Sequence, residues 1–194
     1  MLGEINYGGP VMRAIVNRSE NYHFSNQLLS KASIETLLEA GIRTSLNNEI
    51  NKWSFVIIQD ENYLRYLREY SDLLNNLNDK CNGISQKVKN HDLPINSSGA
   101  GSLILVCADL ATPFSLDHCW LVIENMLLTS SALGFSIALD GSLLKVLNIT
   151  MIKCELNMPE ELTVLAAMMV GEPVNAILPA INIPPKVWKW LSPT

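Results

Sequence analysis

The groups in this chain that could carry chemistry are few: three histidines, four cysteines and a thin scatter of acids and bases among 194 residues. His23, His91 and His118 are isolated from one another, and a lone histidine is more often a satisfied or solvated residue than a catalyst. Cys81, Cys107, Cys119 and Cys154 include no Cys-x-x-Cys pair, so neither metal ligation nor a disulfide framework is expected. Three of the four lie in apolar contexts, as buried reduced thiols do. No Gly-x-Gly-x-x-Gly, Walker loop, Gly-x-Ser-x-Gly elbow or His-Glu-x-x-His occurs. An enzyme with this inventory would borrow its chemistry from a cofactor and supply orientation and electrostatics itself. Glu124 and Asn125 stand out for another reason, as polar side chains inside an apolar stretch. Buried polar groups cost free energy unless hydrogen-bonded. Either they cap local backbone or reach the helix edge, or they face a partner chain or a cofactor.

The stretch that holds them organises the chain. Residues 117–138 are apolar almost all round and contain no Lys or Arg. Their helical part should stop at Gly134, because glycine supplies the left-handed residue that closes a last turn. A helix apolar on every side has to be buried on every side. Phe135 to Leu139 then reads as a short core strand and Asp140-Gly141 as the turn after it.

The remaining elements follow from periodicity. Pro10 to Val16 is a short apolar helix with proline near its start. A second helix begins at about Ser33, whose hydroxyl can cap it, and places Ile34, Leu37, Leu38 and Ile42 on one face. Thr44 to Lys52 is a polar loop. Trp53 to Ile58 is dense in β-branched and aromatic residues, hence a strand. Asp60 caps a helix running to about Leu74, with Tyr63, Leu64, Leu67 and Tyr70 on one side. Residues 76–101 hold few apolar side chains and read either as a flexible excursion covering a site or as plain solvated surface. Ser102 to Ala108 returns to a buried strand. Past the core strand, Gly141 to Asn148 is a short helix, Thr150 to Glu155 extends it, and Pro159-Glu160-Glu161 turns into a strand over Leu162 to Gly171. The proline-rich, apolar residues 174–194 read as an extended C-terminal arm lying on another surface. Alternating helices and strands predict an α/β or α+β fold, one domain over residues 1–194, with helices packed on a single sheet.

Composition sets the remaining limits. Hydrophobic residues make up 48% and charged residues 17%, a balance that favours extra burial in an oligomer. A net charge of -5 and a pI near 5.2 argue against a nucleic-acid footprint. No run long and apolar enough for a transmembrane helix is expected. The first residues lack a basic region followed by an apolar one, so no signal peptide is expected, and the compartment that fits is cytosolic.

Four segments, taken in order, resemble the FMN-dependent nitroreductase family over nearly the whole chain. That family's first loop reads Arg-x-Ser, then a basic residue and an aromatic; Arg18-Ser19 and Phe24 stand in that place. Its Pro-Ser-Ser-x-Asn-x-Gln-Pro-Trp-x-Phe loop is similar to residues 44–55, which end Trp53-Ser54-Phe55. Its helix ending Asn-x-Leu-Leu-x-x-x-Ala-Leu-Gly-Leu is matched from Asn125 to Phe135. Its Leu-x-x-Pro-x-x-Leu turn and strand ending Gly-x-Pro are matched by residues 156–162 and by Gly171-Glu172-Pro173. Together the four are fairly specific.

The resemblance implies a mostly antiparallel sheet flanked by helices, in an intertwined homodimer with two interface FMN sites reduced by NAD(P)H. The flavin would then reduce a small-molecule acceptor, nitroaromatic, quinone or similar, in a ping-pong cycle. Arg18 and Ser19 resemble the phosphate contacts, and an Arg fork suits a phosphate because it binds two oxygens at once. Ser45 and Asn48 resemble flavin contacts given by the partner subunit. Gly141, preceded by Asp140, resembles the amide near the reactive ring nitrogen, where it would stabilise negative charge. Lys186 resembles a basic phosphate contact in the tail. On their own terms, Arg18 and Lys186 read as solvated surface charges. Departures also matter. Asn21, Tyr22 and His23 replace the first loop's second basic residue, Asn51-Lys52 replaces Gln-Pro, and a family glutamine on the central helix falls at Glu124 or His118. The rival expectation is a divergent dimer that binds flavin weakly or not at all, or a flavoenzyme with a different reaction.

Overall fold

The computed structural model describes residues 9–18, 23–25, 27–44, 53–82, 101–111 and 115–174. Among the described residues four strands form one sheet: β1 (Trp53–Ile58), β2 (Ser102–Asp109), β3 (Ser136–Leu139) and β4 (Leu162–Gly171), in the order β1-β2-β4-β3. Every pairing is antiparallel. The helices are α1 (Pro10–Asn17), α2 (Lys31–Ile42), α3 (Glu61–Asn82), α4 (Ser115–Leu133), α5 (Leu144–Leu147) and α6 (Thr150–Glu155), with a 3-10 turn over Gly141–Leu143.

β2 explains why the sheet is covered on both faces. It is buried along nearly its whole length, and successive side chains of a strand point to opposite faces. Leu103, Leu105 and Cys107 enter one core, with Leu64 and Leu67 of α3, Val146 and Leu147 of α5 and Ile152 of α6. Ile104, Val106 and Ala108 enter the other, with Ile34 and Leu37 of α2 and Val122, Ile123 and Met126 of α4. The result is three layers, helices on either side of an antiparallel sheet.

The strands fall where the residue types predict, and the helices differ in instructive ways. α2 starts at Lys31 because Ser30, rather than Ser33, is the cap: its hydroxyl oxygen accepts the Ser33 N–H at 3.1 Å. Asp60 caps α3 as expected, its Oδ1 accepting from the Asn62 and Tyr63 amides. The helix then runs to Asn82 instead of stopping near Leu74. Tyr70, Leu74, Leu77 and Cys81 keep helical spacing through the polar run, so the first part of the 76–101 excursion is helix. Residues 83–100 and 175–194, the rest of that excursion and the C-terminal arm, lie outside the described residues.

Gly134, at φ +80°, closes α4 as its position predicts. The central helix is not buried on every side, however. Leu116, Trp120, Leu121 and Leu133 each remain close to half exposed in the single chain. The stripe carrying Cys119, Val122, Ile123, Met126 and Leu127 packs in the core with α2 and the sheet. An all-apolar helix on the outer layer of one chain has one face left over. Nor do the cysteines all behave alike: Cys107 and Cys119 are buried free thiols, and Cys154 is an exposed one.

Candidate functional site

The turn at the end of β3 is the best-defined part of the site. Asp140 is 7% exposed, and its Oδ1 accepts both the Ser142 amide at 3.0 Å and the Ser142 hydroxyl. Its own amide donates to the Ala167 carbonyl at 2.8 Å, tying the turn to β4. The Ser71 hydroxyl of α3 holds the far side by donating to the Ser142 carbonyl at 2.9 Å. Gly141 is therefore fixed at the head of the 3-10 turn, where the first amides have no partner within the turn. It is exposed, and a Cβ built there would meet nothing within 4 Å. A donor on a rigid turn with free space beside it can hold a planar acceptor ring.

Arg68 lies behind this turn. It is a half-buried α3 cation whose Nε is buried without a hydrogen-bond partner, while its Nη2 approaches Met169 Sδ at 3.8 Å. Burial lowers its affinity for the proton, and the Asp140 carboxylate opposes that shift. The Asp140 carboxylate thus offsets part of the cost of burying Arg68. Sequence reasoning missed this residue, although a signal was present. Leu64, Leu67, Arg68 and Ser71 share one helical face at i, i+3, i+4 and i+7, and a cation among core positions needs a counterion.

Arg18 follows α1 directly, in an extended conformation. Its Nη1 donates to Glu124 Oε2 of α4 at 3.3 Å, with the two side chains 43% and 47% exposed. The expected phosphate contact is thus brought to one of the two polar residues singled out on the central helix. Asn125, the other, donates from Nδ2 to the Ala40 carbonyl of α2 at 3.2 Å. It serves helix–helix packing within this chain. Glu124 sits at the helix edge, in an ion pair.

His118 is half-buried on α4, two residues before exposed Trp120. Ser19, Asn21, Ser45, Asn48 and Lys186 lie outside the described residues. What the described residues do show is one continuous support. Glu124 on α4 holds Arg18, α4 leads through Gly134 into β3, and β3 delivers Asp140 and Gly141. Phe24, just past the first loop, bridges to Pro173 and packs on Gly171, which fixes the loop's exit at the other end of β3. Among the described residues no group of His, Cys, Asp and Glu could hold a metal ion, and no helix is long and apolar enough to cross a membrane.

Comparison with solved structures agrees with this architecture. A nitroreductase with bound FMN from Desulfitobacterium hafniense DCB-2 is similar at a TM-score of 0.74 and 17% identity, covering 90% of this chain and 95% of that one. One with bound FMN from Bacteroides fragilis NCTC 9343 matches at 0.72 and 17%, covering 95% and 100%. An NADPH:FMN oxidoreductase from Vibrio harveyi complexed with NAD+ matches at 0.65 and 14%, covering 95% and 80%. No curated protein matches the sequence. At such identities the structures establish the fold. The sequence adds the family: the Nitroreductase family model matches residues 15–172, a span that contains Arg18, the whole of α4 and the Asp140-Gly141 turn, and the chain belongs to that family.

Proposed function

We propose that this chain is a flavin oxidoreductase that binds FMN, takes hydride from NAD(P)H and reduces a nitroaromatic, quinone or similar small acceptor. The observation that carries the reading is the Gly141 turn, a fixed amide donor with nothing standing where a side chain would be. FMN supplies the redox chemistry when bound, as a cofactor of this class does. The chain's residues would bind and orient it. Gly141 donates toward the ring where negative charge develops, Asp140 and Ser71 hold the turn, and Arg18 takes the phosphate. Ser19, Asn21, Ser45, Asn48, His118 and Lys186 complete the proposed cofactor set by resemblance.

The site is proposed to need a second copy of the chain. Leu116, Trp120, Leu121 and Leu133 of α4 and Val11 and Ile15 of α1 leave apolar surface uncovered, as a homodimer seam would. Arg18 favours a second reading. Its guanidinium already has an anion, Glu124, so the chain could also be a dimer that binds flavin weakly.

An absorbance spectrum of the purified protein, before and after adding FMN and desalting, separates the two. Visible flavin bands that survive desalting, bleached by NAD(P)H under anaerobic conditions, support the oxidoreductase. A protein that stays colourless after reconstitution overturns it.

A further inference from the structure

We infer that Glu124 sets how strongly this chain distinguishes a phosphorylated flavin from riboflavin, by holding Arg18 in an internal ion pair that a phosphate must share or displace. The inference rests on the flavin reading above and goes beyond it. Arg18 is the described residue that resemblance assigns to the phosphate, and its Nη1 is 3.3 Å from Glu124 Oε2. The pair is formed across two elements, from the end of α1 to the middle of α4, where Asn125 is engaged elsewhere, at the Ala40 carbonyl. Paired this way the two side chains sum to zero charge, so a phosphate dianion arriving at Arg18 meets a neutral pair with a carboxylate on its far side.

Geometry and exposure decide the sign. Arg carries five N–H donors in a fixed fork, so an Arg18 that gives Nη1 to Glu124 keeps donors for a phosphate. Sharing is sterically open, but the carboxylate then lies close to the phosphate across one guanidinium. Like charges at such separations repel even in water. Both side chains are close to half exposed, and an exposed ion pair is worth little by itself, so losing the pair should not unfold the chain. The repulsion falls on the phosphate and leaves the isoalloxazine ring alone. Riboflavin, which has the ring and lacks the phosphate, is the matching probe.

The test measures dissociation constants of FMN and riboflavin by flavin fluorescence for the native protein, Glu124→Gln, Arg18→Ala and the double variant, at low and high salt. Glu124→Gln is expected to tighten FMN about 5- to 10-fold at low salt, less at high salt, and to leave riboflavin unchanged. In the Arg18→Ala background the same substitution should gain much less, since the two residues act through one contact. An FMN-to-riboflavin ratio unmoved by Glu124→Gln, or FMN binding weakened by it, overturns the inference and leaves the flavin reading standing. Equal gains with and without Arg18 also overturn it. If neither flavin binds the native protein or any folded variant, the flavin reading falls and takes this inference with it.

Discussion

Asn148 and Val164 are joined by a two-way amide bridge: Asn148 Nδ2 donates to the Val164 carbonyl at 3.0 Å, and its Oδ1 accepts the Val164 amide at 2.9 Å. The side chain stands in for a missing strand. β3 pairs only with Met168 to Gly171, so further along β4 the open edge is closed by the Asp140 amide at Ala167 and by Asn148 at Val164. The β2–β4 register shifts at this point, with Cys107 opposite Val164 and Val106 opposite Ala166. Leu165 is the extra residue of a bulge, which turns it toward the α2–α4 core. Asn148→Ala would strand the Val164 amide and carbonyl, while the Leu144 carbonyl, which Nδ2 also reaches at 2.9 Å, keeps the Asn148 backbone amide at 3.2 Å. Such losses cost roughly 1–3 kcal/mol. Urea unfolding should show a lower midpoint at an unchanged slope.

Gly171→Ala is expected to destabilise through Phe24. The added Cβ would stand 2.9 Å from Phe24 Cδ1 and 3.2 Å from its Cβ and Cγ, and overpacking of this kind costs about 1–3 kcal/mol. Phe24 is held by strand-like bonds, Ser25 amide to Glu172 carbonyl and Val174 amide to His23 carbonyl, so it cannot simply step aside. Combining the change with Phe24→Ala should cost less than the two separate losses added. Additive losses in a thermal-melt cycle would show that the contact is not the cause.

How much of this could be read from the chain differs between strands and helices. β1 and β4 match the expected runs residue for residue: β4, buried along most of its length, is written as a nearly continuous apolar segment, and the edge strand β1 is marked by its β-branched and aromatic residues. Helix ends were harder. Ser30 and Ser33 are equally good caps by type, and their hydroxyls in fact lie 2.9 Å apart. α3 outlasts its obvious apolar face because each further helical residue adds a backbone bond at little cost once the first turns are formed and packed. In the site, Arg18, Asp140 and Gly141 could be named from resemblance. What they do to one another could not: that Glu124 is the anion beside Arg18, and Arg68 the cation behind Asp140, depends on elements brought together only by folding.

The buried thiols predict a loss of stability in alkali. Desolvation raises Cys107 from an ordinary 9.0 to about 12 and Cys119 to about 11. A folded thiol with a raised pKa keeps its proton where the unfolded one has lost it, so unfolding releases protons. Their contribution is full below pH 9 and is lost as pH rises toward 11 to 12. Unfolding free energy should therefore fall over that window, and less steeply in a Cys107→Ala, Cys119→Ala variant. At pH 8 a thiol reagent should label exposed Cys154 well before either buried cysteine. Rapid labelling of Cys107 in the folded protein would contradict the burial.

Trp120 tests the proposed dimer seam. It is 50% exposed beside Leu121 at 48%, and aromatic side chains at the centre of an interface commonly contribute 2 kcal/mol or more, about 30-fold in affinity. Light scattering of the native protein is expected to give twice the chain mass. Trp120→Glu should shift it toward the monomer with its helical circular dichroism intact. A native protein that stays monomeric at high concentration would remove the seam, and with it the shared site.

Gly141→Ala separates folding from binding at one atom. No positive φ is required there and no atom lies within 4 Å of the new Cβ. Alanine removes backbone freedom from the unfolded chain, so stability should hold or rise by about 0.4–1 kcal/mol. The same methyl would occupy the space beside the amide in which the ring is proposed to lie. FMN affinity should fall at least about tenfold, a cost on the order of 1.4 kcal/mol, with NAD(P)H oxidation falling alongside it. A purely structural glycine would move stability and binding in the same direction. Opposite movements place the flavin against Gly141, and a variant that binds FMN as well as the native protein places it elsewhere.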